Sequence, residues 1–400
     1  MGTITRLSKI YGGSFLSLVS LCYFLQSFRS FPWMAMTFWY KDNLKVDPGT
    51  MQFLMSTTML PMVAKPVYGI ISDSVYIKGA HRIPYLVLAG GLQLFAWTAI
   101  ALFSGVSSAA SMLTAFLTIT NLGGAISEVV QDAMVAEAGK NKAGAQPGSV
   151  RDTDDNPELK QFQGRKDVGS AMWDQMAKLK EALQKPALHR PLLWFLSSFA
   201  LIPGLGSSMF FFQTEYLGLN ASVLGLARLV GQVGLIFGSM LYNKALKGVP
   251  VRRLFVYVQI LLSLCMLTDV VFVKRINLEL GIPDKWFVLG ASAFVEAIGQ
   301  FKSLPFMVLL AQLCPSGSEA SVFSFFSAAS CLAGLLNGYL GVVLSSQLNI
   351  SAKDFSGLPT GILISASCAL LPILWIGLIP EEGKSAKETR TNSVEAKKAL

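Results

Sequence analysis

The chain has 400 residues, of which 52% are hydrophobic and 14% charged, with a formal net charge of +9. That is more apolar residue than a soluble domain of this length needs to fill its core, so the composition describes an integral membrane protein. The Lys and Arg are scattered over loops and tails rather than gathered with aromatics on one polar domain, which excludes nucleic acid as the partner of the positive charge.

In chain order, the start MGTITRLSKIYGG is too short for a transit peptide and leads into a retained first helix. Apolar spans are expected near 12–38, 51–72, 84–104 and 109–132. A polar segment at about 137–190 follows, rich in Gly, Asp, Lys and Gln. Within it, Ala171 to Leu183 has the pattern of a short amphipathic surface helix, with Met172, Met176, Leu179 and Leu183 on one face. Six further spans are expected near 191–212, 219–243, 252–273, 285–310, 319–343 and 357–379, and a basic, disordered tail at 381–400. The domain plan is thus a first helical half over 1–136, the polar loop 137–190, a second half over 191–380, and the tail. The loops holding Arg6 and Lys9, Lys78 and Arg82, Lys244, Lys247, Arg252 and Arg253 are the more basic set, which places both termini inside.

Several spans carry charge: Arg29, Lys65, Glu128, Arg228, Glu296 and Lys302. At mid-membrane each costs on the order of 3 kcal/mol, so such side chains face a wet cavity, pair with one another, or mark a substrate or ion path. They fall on stripes. Gln26, Arg29, Ser30 and Trp33 share one helix face, as do Asn121, Gly124, Glu128 and Asp132, Arg228 with Gln232, and Glu296 with Gln300 and Ser303; Lys302 points elsewhere. Spacings of three and four bring Glu128 and Asp132 together, so that one of them can hold a proton. An architectural reading stands beside this one, in which the charges pair and hold the bundle, or Lys65 and Lys302 snorkel to the interface. Gly234 with Gly238, and Gly334 with Gly338 and Gly341, are read as close-packing points. Pro61, Pro66, Pro203 and Pro305 are expected to bend or interrupt their helices.

The five cysteines lie in or beside apolar stretches without CxxC or Cys/His spacing, so no metal site, cofactor or disulfide framework is expected. There is no P-loop, HExxH or GxSxG pattern, which argues against an enzyme.

The run LPMVAKPVYGIISDSVYIKGAHRIPY, with Leu60-Pro61, Lys65-Pro66, Gly69, Ser72-Asp73, Arg82 and Pro84-Tyr85, resembles the folate-biopterin transporter family, a branch of the major facilitator superfamily. So do Glu128-Val-Val-Gln-Asp132-Ala with Val135 and Glu137, and MFFFQTEYLGLN from Met209 to Asn220. The resemblance covers most of residues 15–375. It implies an all-α, major facilitator-like bundle and proton-coupled movement of folates or pterins by alternating access. On chemical fit, Arg29, Trp33, Lys65, Arg228 and Glu296 are the substrate-binding candidates and Glu128 and Asp132 the proton-coupling ones. By analogy with the superfamily, Gly69 and Asp73 with Arg82 match the loop that controls opening and closing.

A full member of that family has twelve helices, whereas hydropathy gives about ten here, with two missing from the first half. Three functional readings therefore stand: a folate or pterin symporter, a carrier for another organic anion, and a non-transporting variant that regulates a complete paralogue. The expected location is a multi-pass position in the plasma membrane, ahead of a chloroplast envelope or other organelle membrane.

Overall fold

The computed structural model describes residues 12–28, 31–75, 77, 82–144, 173, 177, 180–181, 184–246, 248–313 and 319–380. Among these the chain is helical, with no strand element. The helices are α1 (Gly13–Phe28), α2 (Phe31–Phe38), α3 (Pro48–Thr57), α4 (Lys65–Ser74), α5 (Ile83–Leu102), α6 (Ala110–Gly144), α7 (Pro186–Ala200), α8 (Gly206–Phe211), α9 (Ala221–Leu241), α10 (Val251–Val273), α11 (Asp284–Leu313), α12 (Glu319–Gln347) and α13 (Leu358–Leu370). Single turns such as Leu60–Val63 connect some of them. The face residues of the expected 171–183 helix, and the 381–400 tail, lie outside the described residues.

Seven of the predicted spans, those built on α5, α6, α9, α10, α11, α12 and α13, are each a helix long and apolar enough to cross a membrane. Two of the other predicted spans, 51–72 and 191–212, are made of shorter pieces, and in the span at 12–38 residues 29 and 30, between α1 and α2, lie outside the described residues. Pro61 and Pro66 each stand at the start of a new helical piece, and Pro203 lies between α7 and α8, because proline has no amide hydrogen to continue the ladder. Pro305 does not interrupt its helix: α11 runs through it.

The chain forms two compact units, interleaved in sequence. The first comprises residues 1–46, 57–183 and 315–331. Its core is the α5–α6 pair, where small residues admit close approach: a Cβ on Gly123 would lie 2.7 Å from the carbonyl oxygen of Ala89. Ala89, Ala96, Leu113, Leu117 and Ala125 of these two helices are buried. The buried hydroxyls of Tyr40 and Thr114 share a 2.6 Å hydrogen bond. Asn121 donates from Nδ2 to the carbonyl of Thr58 at 2.8 Å, satisfying a backbone group where the helix between α3 and Leu60 is interrupted.

The second unit comprises residues 47–56, 184–314 and 332–400. Trp194 stacks on Phe255 at 4.8 Å and Phe195 on Phe306 at 4.0 Å, joining α7, α10 and α11. Gln259 donates to the carbonyl of Ala369 at 2.5 Å and Ser263 to that of Ala366 at 2.8 Å, tying α10 to α13. On α9, buried Leu224, Ala227, Gly231, Gly234 and Gly238 form the line that packs on α11. Leu229, Val233, Ile236, Phe237 and Met240 of the same helix are exposed. Large apolar side chains facing outward, with glycine and alanine inside, are the inverse of a water-soluble surface and the pattern a lipid solvent selects. The protein is an all-α, multi-pass integral membrane protein.

Candidate functional site

The polar centre of the first unit is built around Lys65. Pro66 at the first turn sets the start of α4 and places Lys65 at its N-terminal end, where the side chain is 3% exposed. Its Nζ donates to Glu128 Oε1 of α6 at 2.5 Å and to Ser327 Oγ of α12 at 2.9 Å. One turn along α6, Asp132 accepts from the hydroxyl of Tyr23 on α1 at 3.2 Å. Two carboxylates therefore sit one turn apart, one held by an ammonium and one by a phenol, with contributions from four helices. Glu128 is half-buried and Asp132 exposed. This arrangement can exchange an anion on the ammonium and accept a proton on a released carboxylate.

Adjacent to it, Gly69 lets α4 approach α6: a Cβ there would lie 3.3 Å from Val129 Cγ1 and 4.0 Å from Ser324 Oγ. Ser72 donates to the carbonyl of Gly69 at 3.0 Å and accepts from Arg82 Nη1 at 2.8 Å, and Tyr85 donates to the carbonyl of Val75 at 2.8 Å. Ser72, Arg82 and Tyr85 are buried. The C-terminal end of α4 is thereby fastened to the start of α5. Asp73 belongs to α4, but its side chain lies outside the described residues, as do Lys78 and His81.

Of the remaining predicted site residues, Arg29 lies outside the described residues and Trp33 is half-buried on α2. Arg228 and Gln232 are exposed on α9, and Glu296 is exposed on α11. Glu296 Cγ lies 3.2 Å from the position a Cβ on Gly231 would take, so it sits against α9 within one turn of Arg228. The structure thus brings Lys65, Glu128 and Asp132 together in one unit and sets Arg228 and Glu296 on neighbouring helices of the other. Sequence reasoning missed Tyr23 and Ser327. Tyr23 had a signal, since it lies one helical turn before Gln26 on the polar stripe; Ser327, a lone hydroxyl in an apolar span, had none.

The BT1 family model matches residues 26–151 and 166–399. The chain belongs to the BT1 family. "Probable folate-biopterin transporter 7" of Arabidopsis thaliana is 33% identical over 418 residues, covering 93% of this chain and 95% of that protein. "Probable folate-biopterin transporter 9, chloroplastic" from the same plant is 35% identical over 446 residues, covering 97% of this chain and 83% of that one. Among solved structures, a bacterial homologue of the iron transporter ferroportin in an outward-facing state aligns over 86% of this chain and 92% of its own, with a TM-score of 0.48 and 14% identity. The alignment with transporter 9 is longer than this 400-residue BT1 chain, so that relative carries residues with no counterpart here.

Proposed function

We propose that this BT1 family protein moves folates or unconjugated pterins across a membrane by alternating access, coupled to proton movement. The relatives named as folate-biopterin transporters support the substrate class. The observation that carries the mechanism is the bond from Lys65 to Glu128 and Ser327. In this reading a substrate carboxylate displaces Glu128 from the Lys65 ammonium. The freed Glu128 takes a proton on its carboxylate, so the charge around Lys65 is conserved while one proton accompanies one anion. Asp132, with Tyr23 as its donor, is the second proton-bearing carboxylate.

Arg29 and Arg228 are assigned to the substrate's anionic groups, Trp33 to stacking on its flat ring, and Glu296 to the ring's hydrogen-bond donors. Gly69, Asp73 and Arg82 are assigned to gating, through the fastening of α4 to α5. The test is uptake of radiolabelled folate by proteoliposomes holding the full chain, with and without an inward proton gradient, alongside Arg29→Ala and Glu128→Gln. Gradient-stimulated uptake that both substitutions abolish is the expected result, and uptake indifferent to the gradient overturns the coupling. Competition by pterin against unrelated organic anions separates this substrate class from a broader anion carrier.

A second reading, a non-transporting variant that regulates a complete paralogue, rests on the two helices that hydropathy leaves missing from the first half of the sequence. Absence of uptake from correctly folded protein would favour an inactive variant or a regulator over a folate carrier.

A further inference from the structure

Between α7 and α8 the backbone at Leu201–Leu205 leaves the helical ladder, and Pro203 has no amide hydrogen with which to restore it. Unpaired backbone groups inside a bilayer have no water to turn to, so a break of this kind persists only where other groups capture them. Within the second unit several of them are captured. Asn337 donates from Nδ2 to the carbonyl of Ile202 at 2.6 Å, and its own carbonyl accepts from the Gly204 amide at 2.9 Å. Ser365 donates to the carbonyl of Pro203 at 2.9 Å, and Gln52 Oε1 accepts from the Ser207 amide at 3.0 Å.

A further capture is made by a charge. Lys302 of α11 is 2% exposed, and its Nζ donates to the carbonyl of Ser198, in the last turn of α7, at 3.1 Å. The ammonium stands 3.8 Å from the ring centroid of Phe199, with the rings of Phe195 and Trp194 at 5.8 and 5.9 Å. Among the described residues no carboxylate pairs with it. An ammonium is favoured at the carbonyl end of a helix and over aromatic faces, so this position is chemically coherent for a cation without a counter-ion. The contact falls close to two prolines: Pro203 lies five residues beyond Ser198, past the end of α7, and Pro305 three residues beyond Lys302 within the continuous α11.

We propose that Lys302 is a positioning residue for transport: its ammonium clamps the carbonyl end of α7 onto α11 and fixes the angle at which the chain leaves the break at 201–205. Asn337, Ser365 and Gln52 satisfy the break itself; the clamp decides how the α7 segment moves relative to it. The transport role rests on the function proposed above, whereas the clamp does not.

The experiment compares wild type, Lys302→Met and Lys302→Arg by hydrogen exchange of the whole chain in detergent and by the KM and maximal rate of folate uptake. Lys302→Met is expected to speed exchange at residues 199–206 by tenfold or more while Val251–Val273 and Leu358–Leu370 stay protected. It is expected to lower the maximal rate about tenfold with KM within twofold, and Lys302→Arg to restore both. Unchanged exchange at 199–206, or exchange rising throughout the second unit, overturns the clamp. Local exchange changes in a protein whose wild type shows no uptake would keep the clamp, remove its role in transport, and place the failure in the transport reading.

Discussion

Lys65 and Glu128 are 63 residues apart in sequence, and their charged groups are 2.5 Å apart in the structure, with the ammonium buried and the carboxylate partly open. Removing one member of a buried pair costs more than removing both, because it strands the other without its counter-ion. Lys65→Met is therefore expected to destabilise the protein by about 1–3 kcal/mol, and Lys65→Met with Glu128→Met together by less than either single change. Thermal melting in detergent checks this. Uptake should separate the two roles of the pair, since the double variant is expected to recover melting temperature without recovering transport.

Gly69 and Val129 define how closely α4 and α6 approach. A Cβ at Gly69 would press on Val129 Cγ1 at 3.3 Å, a contact that the valine can relieve only by shifting. Gly69→Ala is expected to cost about 1 kcal/mol, and Gly69→Leu to abolish both fold and uptake. Gly69→Ala combined with Val129→Ala should melt closer to wild type than Gly69→Ala alone; a result showing no coupling would remove the close approach as the reason for a glycine at this position.

The glycines of α9 should differ among themselves in a way that the sequence motif does not suggest. A Cβ on Gly234 would clash with the backbone carbonyl of Ala293, and one on Gly238 would lie 2.5 Å from that of Ala297, whereas at Gly231 the nearest neighbour is the movable side chain of Glu296 at 3.2 Å. Gly234→Ala and Gly238→Ala are expected to cost about 2 kcal/mol or more each and Gly231→Ala under about 1. Gly90, with nothing within 4 Å of its would-be Cβ, serves as the neutral control. The ranking is read from melting temperatures of the four variants.

Much of the architecture was legible because hydropathy and length report directly on lipid solvation: seven predicted spans correspond to single long helices. Breaks at Pro61, Pro66 and Pro203 were legible from the missing amide, yet Pro305 gave the same signal inside a continuous α11, because whether a helix resumes after proline is decided by the packing around it. Glu128 and Asp132 were legible as a pair, since helical spacing alone joins them. Their partners were not. The contact of Lys65 with Ser327 joins positions 262 apart, and nothing local in an apolar span distinguishes Ser327 from its neighbours. Lys302 was legible as a charge in a span but not as the cap of α7, because its acceptor is a backbone carbonyl that carries no sequence signature.

Asp47 precedes α3, and its carboxylate accepts from the Thr50 amide at 2.9 Å and from the Thr50 hydroxyl at 2.7 Å, the geometry of a helix N-cap. Partial burial works to raise its pKa, but the Thr50 hydroxyl and the amides of Thr50, Asp47 and Gly49 outweigh it and hold the group below the usual aspartate value of 3.8. A carboxylate whose folded pKa is depressed contributes stability at pH values above its unfolded pKa and loses it as pH falls through the folded one. Asp47→Ala is expected to cost about 1 kcal/mol at neutral pH. Asp47→Asn retains a neutral acceptor, so its deficit should be smaller and should shrink further as the wild-type group protonates below about pH 3.8. Melting curves of the three proteins at neutral and acid pH measure it. A difference between wild type and Asp47→Asn that does not narrow on acidification would mean that the ionised carboxylate is not what caps α3.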